Sequence, residues 1–169
     1  MDITEFLAKC LDEDQAAAEA CAWKDWIPGS GLHGPSVETS KPQPGWYGER
    51  ANVASLKATV GKDEREREHA AHIARHDPTR VLREVAGKRA ILAEVTSWQH
   101  VYVDGDSWLS CAQAVDEHDE EQTPGSGCAD DSRRGGPCEC DLERRREAIL
   151  RPLALAYSDR PGYQERWKL

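Results

Sequence analysis

Four stretches of the chain carry apolar residues at helical intervals. Over residues 2–21, Ile3, Phe6, Leu7, Cys10, Leu11, Ala17, Ala18 and Cys21 recur along one side and leave Asp12, Glu13, Gln15 and Glu19 to water. This predicts an amphipathic first helix, opened by Asp2 and Glu5 at the spacing of a capping box. Cys10 and Cys21 lie on its apolar side and are read as small core residues. A second helix opens after Gly61 with the run KDEREREHAA, whose acidic first turn suits the helix dipole. It should stop near His76, because a proline at position 78 disfavours helical geometry at the residue before it. Asp77 is a good N-cap and Pro78 fits the first helical position, so a third helix begins there, with Val81, Leu82, Val85, Ile91, Leu92 and Val95 near one face. Gly87 is its weak point, at roughly 1 kcal/mol against alanine. The fourth stretch, Asp141 to Tyr157, turns Ile149, Leu150, Leu153, Ala154 and Tyr157 inwards, and Pro152 either kinks or restarts it. Beyond it, Tyr163 and Trp167 are four apart and placed to dock together as a C-terminal anchor.

Strand signals are weaker. Residues 23–48 are rich in Pro, Gly, Ser and Trp and predict an irregular arm, in which Trp23, Trp26 and Trp46 either pack on the helices or form a surface patch. His33 in this arm is read as a solvated loop residue. The runs WYGER and VASLKATV are candidates for a small hairpin within 46–60, although SLKATV reads equally as a helical turn. After Val95, TSWQHVYVDGDSWLSC predicts a hairpin turning at Asp104 and Gly105. A turn needs such aspartates, so catalysis by His100 with Asp104 and Asp106 is set aside. The expected architecture is a single, mainly helical α+β domain with a helix-corner-helix centre, one or two short hairpins and a zinc-stapled cysteine-rich loop. Its parts are an N-terminal helix (1–22), the arm (23–60), the helix pair (61–95), a hairpin with the cysteine-rich loop (96–140), and a C-terminal helix with its anchor (141–169).

Composition narrows the function classes. Hydrophobic residues make up 38% and charged residues 31%, which implies a modest core and much loop. The net charge of −9 argues against a general affinity for nucleic-acid backbone. The acidity is concentrated in residues 101–131, which hold nine acidic and no basic side chains. No stretch approaches the roughly 20 apolar residues of a membrane span. The opening MDITEFLAKC lacks the basic and apolar regions of a signal peptide, so the expectation is a cytoplasmic protein with reduced cysteines.

Candidate chemistry lies in two places. Cys111, Cys128, Cys138 and Cys140 fall in a polar, Gly- and Asp-rich region that offers free cysteines little to be buried in. Four thiolates can hold zinc tetrahedrally and fold such a loop, and a closed set of four would make the zinc structural. His118 is a substitute ligand, and disulfides or plain free thiols are the alternatives. The spacing C-x16-C-x9-C-x-C departs from a zinc ribbon, and the glycines in PGSGC and RRGGPCEC are expected to turn backbone N–H groups towards the sulfurs. The second place is one face of the second helix, where His69, His72 and His76 fall within an arc of roughly 60° and could meet an ion with Asp77. The alternative is that His72 and His76 pack at the helix corner, with a ring N–H on a carbonyl or on Asp77. No glutamate follows the first histidine as in HExxH, and no distant Asp motif completes the phosphohydrolase pattern that His76 and Asp77 suggest. Arg144 to Arg146 are read as an exposed face pairing with the acidic loop, and the sharper alternative is nucleic-acid contact through them together with Arg133 and Arg134.

The segments HIARHDPTRVLREVAGKRAIL, SCAQAVDEHDE with PGSGCADDSRRGGPCEC, and LALAYSDRPGYQERW together resemble an uncharacterised family of small actinobacterial and actinophage proteins. The resemblance runs from about His69 to the end and includes the acidic first helix; AWKDW departs from the Thr-Pro-Gly-Pro-Trp-like segment expected after that helix. It implies an intracellular protein of a phage or its host with a cysteine-rich insert, which strengthens the zinc assignment, and it brings no activity.

No nucleophile–base pair is recognisable from spacing. The leading expectation is a small cytosolic interaction or adaptor protein with structural zinc, whose partner is another protein and whose oligomeric state is open. A metal-dependent hydrolase using His69, His72, His76 and Asp77, and a nucleic-acid-binding accessory protein, are the alternatives.

Overall fold

A computed structural model of the protein describes residues 1–21, 24–31, 34–41, 50–55 and 63–169. The fold is α+β and mainly helical. In chain order the elements are α1 (Ile3–Ala20), β1 (Trp26–Gly31), β2 (Gly34–Thr39), β3 (Asn52–Ser55), α2 (Asp63–Arg75), α3 (Pro78–Ser97), α4 (Leu142–Leu155) and a 3-10 turn, Glu165–Trp167. The chain forms two compact units, Ala8–Arg89 and Met1–Leu7 with Ala90–Leu169, and the boundary falls inside α1 and inside α3. Among the described residues, no helix is long and apolar enough to cross a membrane.

In the unit Ala8–Arg89, three antiparallel strands in the order β1-β2-β3 pack against α2. Val37 of β2 meets Ala70 and Ala74 of α2, and Trp26, Val53, Ala54 and Ile73 close the cluster. Small alanines on α2 allow this close approach of helix to sheet. The irregular arm expected from composition is thus corrected: Trp26–Gly31 and Gly34–Thr39 pair as antiparallel strands with Trp26 opposite Thr39, and Trp26 packs inwards. Pro28 and the glycines of WIPGSG disguise β1, but β1 lies outermost in the strand order, and a missing N–H is tolerated on an edge strand. The predicted hairpin of WYGER with VASLKATV is corrected in part, since Asn52–Ser55 pairs with β2; Trp46 to Glu49 lie outside the described residues, as do Trp23 and His33.

The corner between α2 and α3 forms where the Asp77–Pro78 step places it. Asp77 Oδ1 accepts from the Arg80 backbone N–H at 2.6 Å, and Pro78 is buried. Gly87 sits exposed, with open space where a Cβ would stand.

In the other unit, Asp2 and Glu5 cap α1 reciprocally, with backbone-to-carboxylate bonds of 2.9 and 2.8 Å. Phe6 packs on Trp167 (5.1 Å between centroids) and Tyr163 (6.1 Å), and those two rings meet edge-on at 5.8 Å, which is the C-terminal anchor. α4 buries Leu142, Leu150 and Ala154 and runs through Pro152, which lies in its last turn, where one lost hydrogen bond is cheap. The expected hairpin after Val95 does not form strands. Its turn is present, with Gly105 at φ +76°, and Val101 accepts from the Cys111 N–H at 2.9 Å. At the next step, however, the Val103 N–H bonds the Ser110 hydroxyl instead of a backbone carbonyl, and tight turns at 106–110 replace the ladder.

Candidate metal centre

The Val101–Cys111 contact sets the site. By closing the turn, it brings His100 next to Cys111, with Nδ1 3.7 Å from Sγ. The segment Cys138-Glu139-Cys140 reaches the same point from the start of α4: Cys140 Sγ is 3.5 Å from His100 Nδ1, the Cys138 and Cys140 sulfurs are 3.6 Å apart, and the Glu139 N–H points at Cys111 Sγ at 3.4 Å. The ligand atoms of His100, Cys111, Cys138 and Cys140 all lie within 4.8 Å of one another, with Cys111 buried and the other three half-buried. This arrangement could hold a metal ion. All six cysteines are unbridged thiols.

Two effects compete at the sulfurs. Burial pushes the Cys111 thiol up, but backbone N–H groups of Gln113, Glu139 and Cys140 and the Cys140 side chain more than offset it, leaving Cys111 below the ordinary cysteine range. Burial raises Cys140 too; the N–H groups of Val101 and Leu142 oppose this, while the neighbouring sulfurs of Cys138 and Cys111 reinforce it, and Cys140 ends above its ordinary value. The two shifts run in opposite directions, so negative charge settles more readily on Cys111 than on Cys140.

Around this set the chain supplies an outer layer. Glu143 Oε1 stands 3.7 Å from His100 Nε2, on the ring's far side from the sulfurs. Arg146 pairs with Glu143 at 2.9 Å and donates to the carbonyls of Val95 and Trp98, fixing the α3 terminus to α4. Arg133 donates to the Trp108 carbonyl (3.0 Å), the Ser110 carbonyl (2.8 Å) and Glu139 (2.7 Å). Asp141, between Cys140 and α4, adopts a left-handed φ of +60°. The pairing expected between the arginine run and the acidic loop is corrected: Arg144 and Arg146 bind Asp141 and Glu143 at the start of their own helix, since neighbours one turn apart are closest. Arg134 binds Asp131 and the Cys128 carbonyl.

Of the four cysteines singled out from spacing, three, Cys111, Cys138 and Cys140, come together with His100. Cys128 stands apart from the cluster: it is 1% exposed, and its thiol contacts the Asp130 carbonyl at 3.7 Å. The loop is knit more tightly than its composition suggests, through bonds such as Gly127 N to Ala114 O and Gly135 N to Ala112 O, so it offers a thiol a small core. His118 also lies elsewhere, 83% exposed beside Asp116. The glycines serve close approach of backbone instead of aiming N–H groups at sulfur. Gly125 has φ +86°, and a Cβ there would stand 2.6 Å from the Gly135 nitrogen. His100 is the member of the cluster that spacing overlooked. The pattern is H-x10-C-x26-C-x-C, and the predicted turn at Asp104–Gly105 was the available signal, because it folds the chain after His100 back towards the segment that holds Cys111; the bond from the Cys111 N–H to the Val101 carbonyl then sets the register.

The histidine face of α2 resolves into a pair. His72 and His76 are exposed with ring centroids 4.6 Å apart, and His76 Nδ1 lies 3.0 Å from the His72 carbonyl. Asp77 is occupied as the N-cap of α3.

A family model of unknown function matches residues 1–169. The chain belongs to that family, DUF6221. No curated protein and no solved structure matches it. Among the described residues of this DUF6221 member, the His/Cys cluster is a group that could hold a metal ion.

Proposed function

We propose that this DUF6221 member is a small cytosolic adaptor, in the phage or actinobacterial setting that the resemblance implies, with a structural zinc ion held by His100, Cys111, Cys138 and Cys140. The observation that carries the zinc is the set of separations between the ligand atoms. Around a tetrahedral zinc, Zn–S of about 2.3 Å and Zn–N of about 2.05 Å place neighbouring ligand atoms about 3.8 Å (S to S) and about 3.6 Å (S to N) apart. The cluster's close contacts of 3.5, 3.6 and 3.7 Å match these edges. Backbone N–H groups directed at sulfur and a carboxylate facing the far nitrogen of the histidine are the outer layer such centres use. Three thiolates and an imidazole fill the tetrahedron, so the metal serves the fold.

The adaptor role is supported by what the stapled loop carries. Trp108 and Leu109 are 62% and 70% exposed, yet their backbone is pinned by Arg133 and by the bonds at 106–110. An aromatic-aliphatic pair held out on an ordered loop is the composition of an interface anchor. Elemental analysis of protein purified without added metal tests the metal: one equivalent of zinc is expected, lost together with thermal stability in a Cys138→Ser, Cys140→Ser double variant. Full zinc retention in that variant would overturn the site.

A further inference from the structure

His72 and His76 lie outside the cysteine centre and outside everything argued from it. Both are exposed on the face of α2 opposite Ala70 and Ala74, the alanines buried against the sheet. Helical winding continues through His76, whose backbone N–H bonds the Ile73 carbonyl at 3.0 Å, so the two imidazoles stand one turn apart on one side. Their rings are 4.6 Å apart at a tilt of 48°. A carbonyl can only accept, so the 3.0 Å contact between His76 Nδ1 and the His72 carbonyl puts the ring proton on Nδ1. The lone pair of His76 is therefore on Nε2. This division, one nitrogen donating to a carbonyl and the other left for coordination, is how ligating histidines are oriented.

We infer that His72 and His76 form a second metal site, a two-imidazole chelate for a borderline divalent cation such as Ni(II), Cu(II) or Zn(II). Two neutral nitrogens on one helical turn share an ion, with water completing its shell. His69 stays outside: seven residues separate it from His76, about 10 Å along a helix axis, too far for one ion. Asp77 stays outside as well, since its carboxylate caps α3. The two sites differ in chemistry. Thiolates dominate the first and favour soft metals, whereas the second has imidazole alone and an exchangeable water shell.

Nickel is the probe, added to full-length protein already supplied with one equivalent of zinc. Calorimetric titration is expected to show one equivalent of Ni(II) binding, with no sulfur-to-nickel charge-transfer absorption. Loss of the chelate in His72→Gln or in His76→Gln should weaken it about a hundredfold. His69→Gln and His118→Gln should leave it unchanged. The exposure of all four side chains keeps these variants folded. Nickel binding as tight in His72→Gln as in the parent, charge-transfer bands that place nickel on the thiolates, or no nickel binding at all would each overturn the site.

Discussion

Replacing His100 and Cys128 separately distinguishes a metal site at the His100 cluster from the four-cysteine set that spacing suggests. His100→Ala removes the nitrogen that stands 3.7 and 3.5 Å from two of the sulfurs. Removing an outer-layer partner of a metal ligand already costs about 10- to 100-fold in affinity, so removing a ligand should cost about 100-fold or more. At saturating zinc each tenfold is about 1.4 kcal/mol of stability, which sets the loss at about 3 kcal/mol. For a chain of this length that is a fall in Tm of about 6–12 °C. Cys128→Ala deletes a buried sulfur outside the cluster, and its cost is transfer plus cavity, about 1–2 kcal/mol, with zinc affinity unchanged. Chelator competition reads the affinities, and thermal melts with and without zinc read the stabilities. If Cys128→Ala released zinc while His100→Ala held it at the parent affinity, the centre would be the four-thiolate set.

Gly87→Ala should stabilise the protein by about 0.5–1 kcal/mol, read as a shift in denaturant midpoint, because the glycine is exposed within α3 and a Cβ meets nothing. Asp119 titrates below the usual carboxylate range because it accepts from the Thr123 N–H, then from the Ser126 hydroxyl and the Glu121 N–H. A folded-state pKa below the unfolded one means its contribution is complete above the unfolded value, about pH 4, and is lost as pH falls through the folded value. Asp119→Asn should therefore flatten the acid limb of stability below about pH 4, and an unchanged limb would remove Asp119 from that role.

The helices were legible because their signals are local. Asp2 with Glu5 and Asp77 with Pro78 state where helices start without reference to the rest of the chain, and the caps form there. The sheet was hidden because an edge strand tolerates what composition treats as loop: Pro28 and the glycines of β1 are compatible with pairing on one side only. At 98–111 the alternating pattern was present, but the Ser110 hydroxyl intercepted the ladder, a competition that periodicity does not register. The centre was legible in its residue types and illegible in its membership. Its members come from two segments separated by a loop of 26 residues between Cys111 and Cys138, and only the path of that loop decides that Cys128 turns into the core while His100 joins.

One guanidinium touches both the His/Cys cluster's segment and the Trp108 loop. Arg133 donates from Nη1 to the Trp108 carbonyl and from Nη2 to both the Ser110 carbonyl and the carboxylate of Glu139, the residue between Cys138 and Cys140. Displacing Glu139 from its place therefore loosens the carbonyl that positions Trp108. Linkage makes the relation reciprocal: a partner that gripped the Trp108 loop only in its ordered form would tighten the hold on a metal bound at the cluster by the same coupling free energy.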